Sequence, residues 1–455
     1  MHSAGKTLLA LTLCFFSLFF SCRSAWAIQE PTLYAEAAIL IDAATGQVLY
    51  EKNSRRQMPP ASLTKILTCL LAMEEGNAGD LVAIPQEATQ LMPGSAAIGL
   101  VPGEVHTMGD LLYAMMLPSA NDAAAAVAIH LGGSVSGFAH RMNQRVAELG
   151  LTGSCFRNPH GLPVRDHYAT AYDLAQITRQ ALAYPEFLDY AGASSHVIPA
   201  GPRHRGYSFQ HLNRTLRRNS EFYDPRAVAG KTGWTDEAGN CLMTVGEQDG
   251  LRLIAILLRD DSEEVGGAAY RDTRALFDYG FSAFRPVTAP LSAGAVVFAM
   301  EEENGVVEYQ LSPQSRKVTF LLPRETEDPQ NLTLELSDDP ERISAAQGSF
   351  WGEAVLRDEA GREILTAARL PLEGHRLTAA EWGPGQVVYL LEREERSSRG
   401  DVPLALGGSA LAVSLLAFLN RQKRREAAEK ESFWAELDRR EGDIFARIKE
   451  EEGLL

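Results

Sequence analysis

Ser62 and Lys65 stand three positions apart in PPASLTKILTCLLAMEE, residues 59–75. Both side chains are costly to bury, yet the run from Ile66 to Met73 reads as a core helix, so the two polar groups are aimed at an interior. At helical spacing, residues i and i+3 share a face with Cβ atoms about 5–6 Å apart, and Pro59-Pro60 fixes the approach of the chain to the helix. A lysine in water has a pKa of ~10.4 and is charged at neutral pH. Burial against Ile66 and Leu67 penalises the ammonium and lowers that value. A neutral Lys65 can then take the Ser62 proton, making Ser62 a nucleophile and Lys65 its base. Taken alone, a Ser-x-x-Lys tetrad has little specificity; it describes a helix cap followed by a surface lysine equally well.

Two further stretches carry matching chemistry. LLYAMMLPSANDAAAA ends an apolar helix at Pro118 and presents Ser119-Ala120-Asn121 in a tight turn before the next helix. Ser119 could relay a proton, and the Asn121 amide could hold a substrate carbonyl and Lys65 together, unless either merely caps the Ala-rich helix. AVAGKTGWT then sets Lys231-Thr232-Gly233 directly before the strand containing Cys241. A lysine and a hydroxyl beside a glycine let a substrate backbone lie along that strand with its carboxylate on Lys231. An ordinary basic turn has the same composition.

In this order the three motifs resemble those of the penicillin-recognising serine hydrolases: Ser-x-x-Lys, Ser-x-Asn and Lys-Thr-Gly. The text around them (PPASLTKILT, GLVPGEVHTMGDLLYAMMLPSANDAA, NPHGLPVRDHYATAYDLAQI and GKTGWTDEAG) is similar to that of the D-alanyl-D-alanine carboxypeptidases, the low-molecular-mass penicillin-binding proteins. The resemblance covers about residues 35–284. It implies an α/β fold with a β-lactamase/transpeptidase-like catalytic domain, followed by a small all-β domain and a C-terminal transmembrane helix. It also implies a serine D,D-carboxypeptidase that removes the terminal D-Ala from peptidoglycan stem pentapeptides and is acylated by β-lactams. By the same resemblance Ser62 is the acylated nucleophile, Lys65 its base, and Ser119 and Asn121 complete the proton network. Lys231, Thr232 and Gly233 bind the terminal carboxylate side of the substrate, the backbone N–H groups of Ser62 and Trp234 form the oxyanion hole, and Arg214 is a second carboxylate-binding group. Ala120 stands where a glycine is more usual, and the text around Arg214 departs from the family's pattern. His160 reads as a structural loop histidine. No organic cofactor or metal is implied.

Elements must bring these distant motifs together. AAILIDAATGQVLYE, residues 37–51, alternates around Thr45-Gly46 as a hairpin. A helix-rich stretch runs from Ser62 to about Tyr190. Two strands follow, Cys241 to Val245 and Leu251 to Leu258, joined across Gln248-Asp249-Gly250, and then a closing helix from Arg271 to Phe281. Strands at both ends of a helical middle predict one mixed domain, residues 28–284, whose sheet unites remote segments. From 285 to 392, short β-like runs (295–300, 306–311, 317–322, 332–336, 353–356 and 387–391) are separated by Gly, Pro and acidic clusters and predict a small β-rich domain.

The ends of the 455-residue chain predict export and anchoring. Lys6, the apolar run 8–20 and Ala25-Trp26-Ala27 form a signal peptide over residues 1–27, cleaved after Ala27; a lipoprotein site at Cys22 fits poorly because Phe19 and Phe20 precede it. Residues 393–401 are a polar stalk, and 402–419 are an uncharged run long enough to cross a bilayer. Arg421, Lys423, Arg424 and Arg425 place the tail, 420–455, in the cytoplasm and the preceding domains outside the cell membrane. That tail could lie on the membrane, pair with another helix or remain a solvated helix. Cys69, Cys155 and Cys241 are too few and too far apart for a disulfide framework or a metal site and read as buried thiols. The net charge of −16 opposes a nucleic-acid partner. Two other functions share these motifs. A class A β-lactamase needs a glutamate, usually in Glu-x-x-Leu-Asn, which is missing between Asn121 and Lys231. A non-catalytic penicillin-binding receptor would not need the complete set of five polar side chains.

Overall fold

Strand β1 (Ala37–Asp42) is apolar in both phases of its alternation because it is covered on both faces. Ala37, Ile39 and Ile41 enter one core layer and Ala38 and Leu40 the other. It pairs antiparallel with β2 (Val48–Lys52) through a turn in which Gly46 takes φ +72°. The helical middle supplies α1 (Lys65–Glu75), α2 (Met108–Met116), α3 (Asn121–Gly132), α4 (Val135–Glu148), α5 (Ala171–Ala181) and α6 (Glu186–Gly192). Strands β3 (Ala227–Thr235), β4 (Gly239–Gln248) and β5 (Leu251–Leu258) follow, then α7 (Ala268–Ala283). The sheet has the order β2-β1-β5-β4-β3, so the first strand of the domain pairs with its last and β3 lies on an edge. Helix α5 covers one face, with α1 packed behind it, and α7 covers the other. The β4–β5 turn holds Asp249 at φ +52° and Gly250 at +80°, the left-handed pair that a two-residue hairpin with right-handed strand twist requires. The computed structural model describes residues 29–391 apart from 262–265, 293–295, 303–304, 327–331, 338, 340–341, 347–348, 359 and 377–387.

The later strands are β6 (Phe284–Pro290), β7 (Val296–Glu302), β8 (Gly305–Pro313), β9 (Lys317–Pro323), β10 (Thr333–Leu336), β11 (Ile343–Ala346), β12 (Ser349–Arg357), β13 (Glu363–Arg376) and β14 (Val388–Leu391). The pair β6–β9 is separate from a larger sheet built around β12 and β13. Sequence alternation locates most of these strands but misses β6, β11 and β13. Pro286 reads as a breaker, yet among the described residues β6 pairs only with β9, and a strand unpaired on one side tolerates proline. Strand β13 carries Pro371 and Gly374, and register shifts in its pairing with β12 break the period of two.

The described residues belong to one compact unit. Within it the β-rich segment is tied to the sheet domain by directional bonds. Gln47 mimics a strand partner: its Nε2 donates to Leu321 O at 2.7 Å, and its Oε1 accepts from Leu321 N at 2.6 Å. Arg369, 5 % exposed, donates from its guanidinium to Leu149 O at 2.6 Å and from its backbone to Thr45 O at 2.9 Å. Among the described residues no helix is long and apolar enough to cross a membrane; the expected signal peptide, span and tail lie outside those residues. Cys69, Cys155 and Cys241 are buried free thiols.

Candidate active site

Ser62 does not open α1. It lies in a 3-10 turn, Ala61–Thr64, that immediately precedes the helix and sits against the edge strand β3. The tighter turn keeps Ser62 and Lys65 on one side, because three residues complete a 3-10 turn. Two glycines permit this packing. A Cβ on Gly233 would lie 3.0 Å from Ser62 N, and one on Gly161, at φ +88°, would lie 1.8 Å from Ala61 O. The Ser62 turn is therefore clamped between β3 and the 158–163 loop, whose backbones come as close as they do only because neither glycine has a side chain.

Lys65 is fully buried. Its Nζ lies 3.0 Å from Ser62 Oγ, 2.7 Å from Asn121 Oδ1 and 2.8 Å from His160 O. Burial first, and then the charge of Lys231, hold its pKa well below the usual lysine value, opposed by Asp122. In the neutral state the amine has two N–H groups and one lone pair. The Asn121 and His160 oxygens can only accept, so they take the two N–H groups. Ser62 is the one partner able to donate, and the lone pair is left facing its hydroxyl. The neutral amine that burial favours can give its two N–H groups to Asn121 and His160 and turn its lone pair to the Ser62 hydroxyl, whereas the ammonium donates to all three oxygens.

Lys231 is also fully buried. Its Nζ donates to Ser119 Oγ at 2.9 Å and to Thr232 O at 2.8 Å, and burial brings its pKa down to about 7. Ser119 is held at φ +67° between α2 and α3. The N-terminus of α3 has Ala120 at its cap with no side-chain cap bond, so neither Ser119 nor Asn121 is spent there. All five polar side chains singled out in the sequence thus meet in two linked sets, Ser62–Lys65–Asn121 and Ser119–Lys231. Ser62, Ser119, Asn121, Arg214, Thr232, Gly233 and Trp234 line one cleft of about 800 Å³. Trp234 is 62 % exposed on its rim. Arg214 stands on the cleft wall with its guanidinium 2.8 Å from Glu221 Oε1 and 4.4 Å from the centre of the Phe222 ring.

Several groups position the site through contacts the sequence did not show. His160 contributes its carbonyl; its imidazole is no base, because Nδ1 accepts from Leu162 N at 3.2 Å and the proton of the neutral ring is then on Nε2. Burial, with Lys65 nearby, keeps that ring neutral. Asn158 Oδ1 accepts from Gly161 N at 2.7 Å and shapes the same loop. His211, whose pKa burial lowers to about 4, accepts from Asn213 N on Nδ1, so its Nε2–H points at Ala191 O and Gly230 O behind Lys231. Asp122 takes the backbone N–H groups of Gly99 and Leu100, each at 2.9 Å, and fixes the loop after the cleft wall 92–96. The His160 carbonyl, His211 and Asp122 reach partners far away in the sequence, which no local pattern records, whereas Asn158 acts within its own loop. Among the described residues, no group of three or more His, Cys, Asp or Glu side chains is placed to hold a metal ion.

The cleft agrees with what the chain resembles. It is 33 % identical over 262 residues to the D-alanyl-D-alanine carboxypeptidase DacF of Bacillus subtilis, covering 56 % of this chain and 64 % of DacF, less than two thirds of that relative's length. A solved D-alanyl-D-alanine carboxypeptidase of Mycobacterium tuberculosis is similar at 29 % identity and a TM-score of 0.52, over 57 % of this chain and 95 % of that one. The Streptomyces K15 DD-transpeptidase is similar at 26 % identity and a TM-score of 0.51, over 56 % of this chain and 99 % of that one. The model of the D-alanyl-D-alanine carboxypeptidase family matches residues 24–262, just over half of the chain, and with its three motifs assembled around one cleft the chain belongs to that family.

Proposed function

We propose that the protein is a serine D,D-carboxypeptidase acting on peptidoglycan stem peptides, and that β-lactams acylate the same serine. The observation that carries this reading is the buried Lys65 amine lying 3.0 Å from Ser62 Oγ. In the first step Ser62 Oγ attacks the penultimate D-Ala carbonyl as its proton moves to Lys65. The tetrahedral oxyanion forms beside the Ser62 and Trp234 N–H groups, whose donation is worth most where charge develops. Lys65, through the Ser119 hydroxyl, returns the proton to the departing amine; the C–N bond breaks, and D-Ala leaves an ester on Ser62. Water then attacks that ester with neutral Lys65 as base. Lys231 and Thr232 hold the terminal carboxylate, with Arg214 as a second cation at the wall. The open edge of β3 offers main-chain pairing to the substrate.

The β-lactamase alternative is disfavoured by the position of the acids. Among the described residues lining the cleft, the carboxylates are Asp236, Glu237 and Asp260, and none comes from between Asn121 and Lys231. Export by the segment 1–27 and tethering by 402–419, with the catalytic domain outside the cell membrane and the tail inside, belong to the same proposal and rest on sequence alone. D-Ala release from a pentapeptide, beside penicillin labelling of wild type and Ser62→Ala, tests the reading. Release and labelling that both vanish in Ser62→Ala support it; full labelling of Ser62→Ala would place the nucleophile elsewhere.

A further inference from the structure

Two threonines in the stretch SLTKILT, residues 62–68, do not make the bonds that threonines in their positions ordinarily make. Thr64 stands at the N-cap of α1, where a hydroxyl usually accepts from the first turn of the helix, yet it makes no side-chain cap bond. Its Oγ1 lies 3.0 Å from His167 Nε2 instead. Thr68 sits inside α1, where a hydroxyl commonly bonds the carbonyl four residues back, as Thr178 and Thr273 do in α5 and α7. Thr68 Oγ1 donates instead to Pro159 O at 2.6 Å. The two threonines are four positions apart and share a helix face, and both are fully buried. Lys65 reaches the same loop through His160 O at 2.8 Å.

That loop, residues 156–167, is held on every side. Its neck is closed by the paired backbones of Cys155 and Tyr168, and just beyond it Ala169 pairs with Met58, ahead of the Ser62 turn. Asn158 braces it from within, donating to Leu162 O at 2.8 Å and accepting from Gly161 N. The His167 ring is fixed from behind, with Nδ1 accepting from Arg157 N at 3.0 Å. Burial, and then Arg157, lowers its pKa to about 3, so the neutral ring carries its proton on Nε2 and donates to Thr64. The loop is thereby locked to α1 on both sides of the His160 carbonyl. A carbonyl facing an amine favours the ammonium, because a charged donor makes the stronger bond. The position of His160 O therefore bears on how basic Lys65 is. We propose that Thr64, Thr68 and His167 are positioning residues of the acylation step, locking the 156–167 loop to α1 so that the His160 carbonyl sustains the basicity of Lys65.

This inference rests on the reading in which Lys65 is the base for Ser62, and the test separates the two. The second-order rate of labelling by fluorescent penicillin is followed against pH in wild type, Thr64→Val, Thr64→Ser and Thr68→Val, beside a denaturant melt of each. The charged or titratable groups facing Lys65 are Lys231, Asp122 and the His160 ring, with Arg157 facing His167; none is altered in these variants. In the folded valine variants labelling should slow by roughly ten- to a hundredfold, the scale of a small misplacement of a reacting group. A loosened carbonyl stabilises the ammonium less, so the acid limb should move down by about one pH unit, the size of one weakened bond to a charged amine. Thr64→Ser keeps the acceptor for His167 and should restore both rate and limb. His167→Gln, which keeps a donor where Nε2 stood, should stay closer to wild type than His167→Phe. Slower labelling with an unmoved acid limb, or wild-type rates in both valine variants, overturns the proposal and leaves Lys65 as base. Thr68→Val strands no buried donor and decides alone if Thr64→Val does not fold. Labelling of folded Lys65→Met at the wild-type rate would defeat the base reading, and this inference with it.

Discussion

Replacing Lys65 by methionine separates the base from the scaffold. The two side chains have similar length, so the fully buried site stays filled. Removing the amine strands Asn121 Oδ1 and His160 O, at about 1–3 kcal/mol for each acceptor left without a partner. Against that, the fold no longer has to hold a buried lysine deprotonated below its ordinary pKa, at a cost of ~1.4 kcal/mol for each pH unit. These terms have similar size and opposite sign, so stability should change by no more than about 2 kcal/mol in either direction. Acylation has no such compensation. Losing a positioned general base slows a reaction by ~10²–10⁴, or roughly 3–5 kcal/mol of barrier. The assay is the second-order rate of labelling by fluorescent penicillin, beside a denaturant melt of the same preparation. A variant with a native-like melt and labelling at least a hundredfold slower supports the assignment. Labelling within tenfold of wild type in a folded variant refutes it and makes Lys65 a structural cation.

Lys231 gives a pH signature. Its pKa falls to about 7 in the folded protein from ~10.4 in the unfolded chain, so between those values the unfolded chain binds the extra proton and stability rises with pH. Wild type should gain on Lys231→Met by up to ~1.4 kcal/mol per pH unit in that window; a pH-independent gap in paired melts would show that the lysine is not desolvated. Gly161→Ala should lose more than ~3 kcal/mol of stability in a denaturant melt, because the new Cβ meets Ala61 O at 1.8 Å and φ is +88°; a loss below 1 kcal/mol would contradict the clamp on the nucleophile turn. Penicillin should acylate Ser62 quickly but leave it orders of magnitude more slowly than D-Ala is released from peptide, since no carboxylate from between Asn121 and Lys231 reaches the cleft; mass spectrometry of the adduct over time decides, and turnover as fast as peptide hydrolysis would restore the β-lactamase alternative. Protease added to intact protoplasts should remove the catalytic domain and leave a short membrane fragment, whereas release of the whole protein by high salt would rule out a spanning anchor.

The members of the candidate site were legible in the chain because each motif is short and locally defined. Ser62 and Lys65 are coupled by one helical turn, Ser119 and Asn121 by one loop, and Lys231 to Gly233 by one strand, so residue type and spacing carried their meaning before any fold was known. The hairpins were legible for the same reason, as with Asp249-Gly250 between β4 and β5. What spacing could not determine is which of three partners takes which hydrogen of Lys65. That depends on His160 O, 95 residues away, and on Asn121, 56 residues away, arriving within 3 Å of one nitrogen. The lowered pKa of Lys65, the neutral His160 ring and the clamp at Gly161 and Gly233 are likewise tertiary facts. Burial and long-range contact set pKa values and close approaches, and neither is a property of a local segment. The seat of the β-rich segment on the sheet domain is of the same kind: Gln47 is an unremarked polar residue until Leu321, 274 residues on, comes to lie opposite its amide.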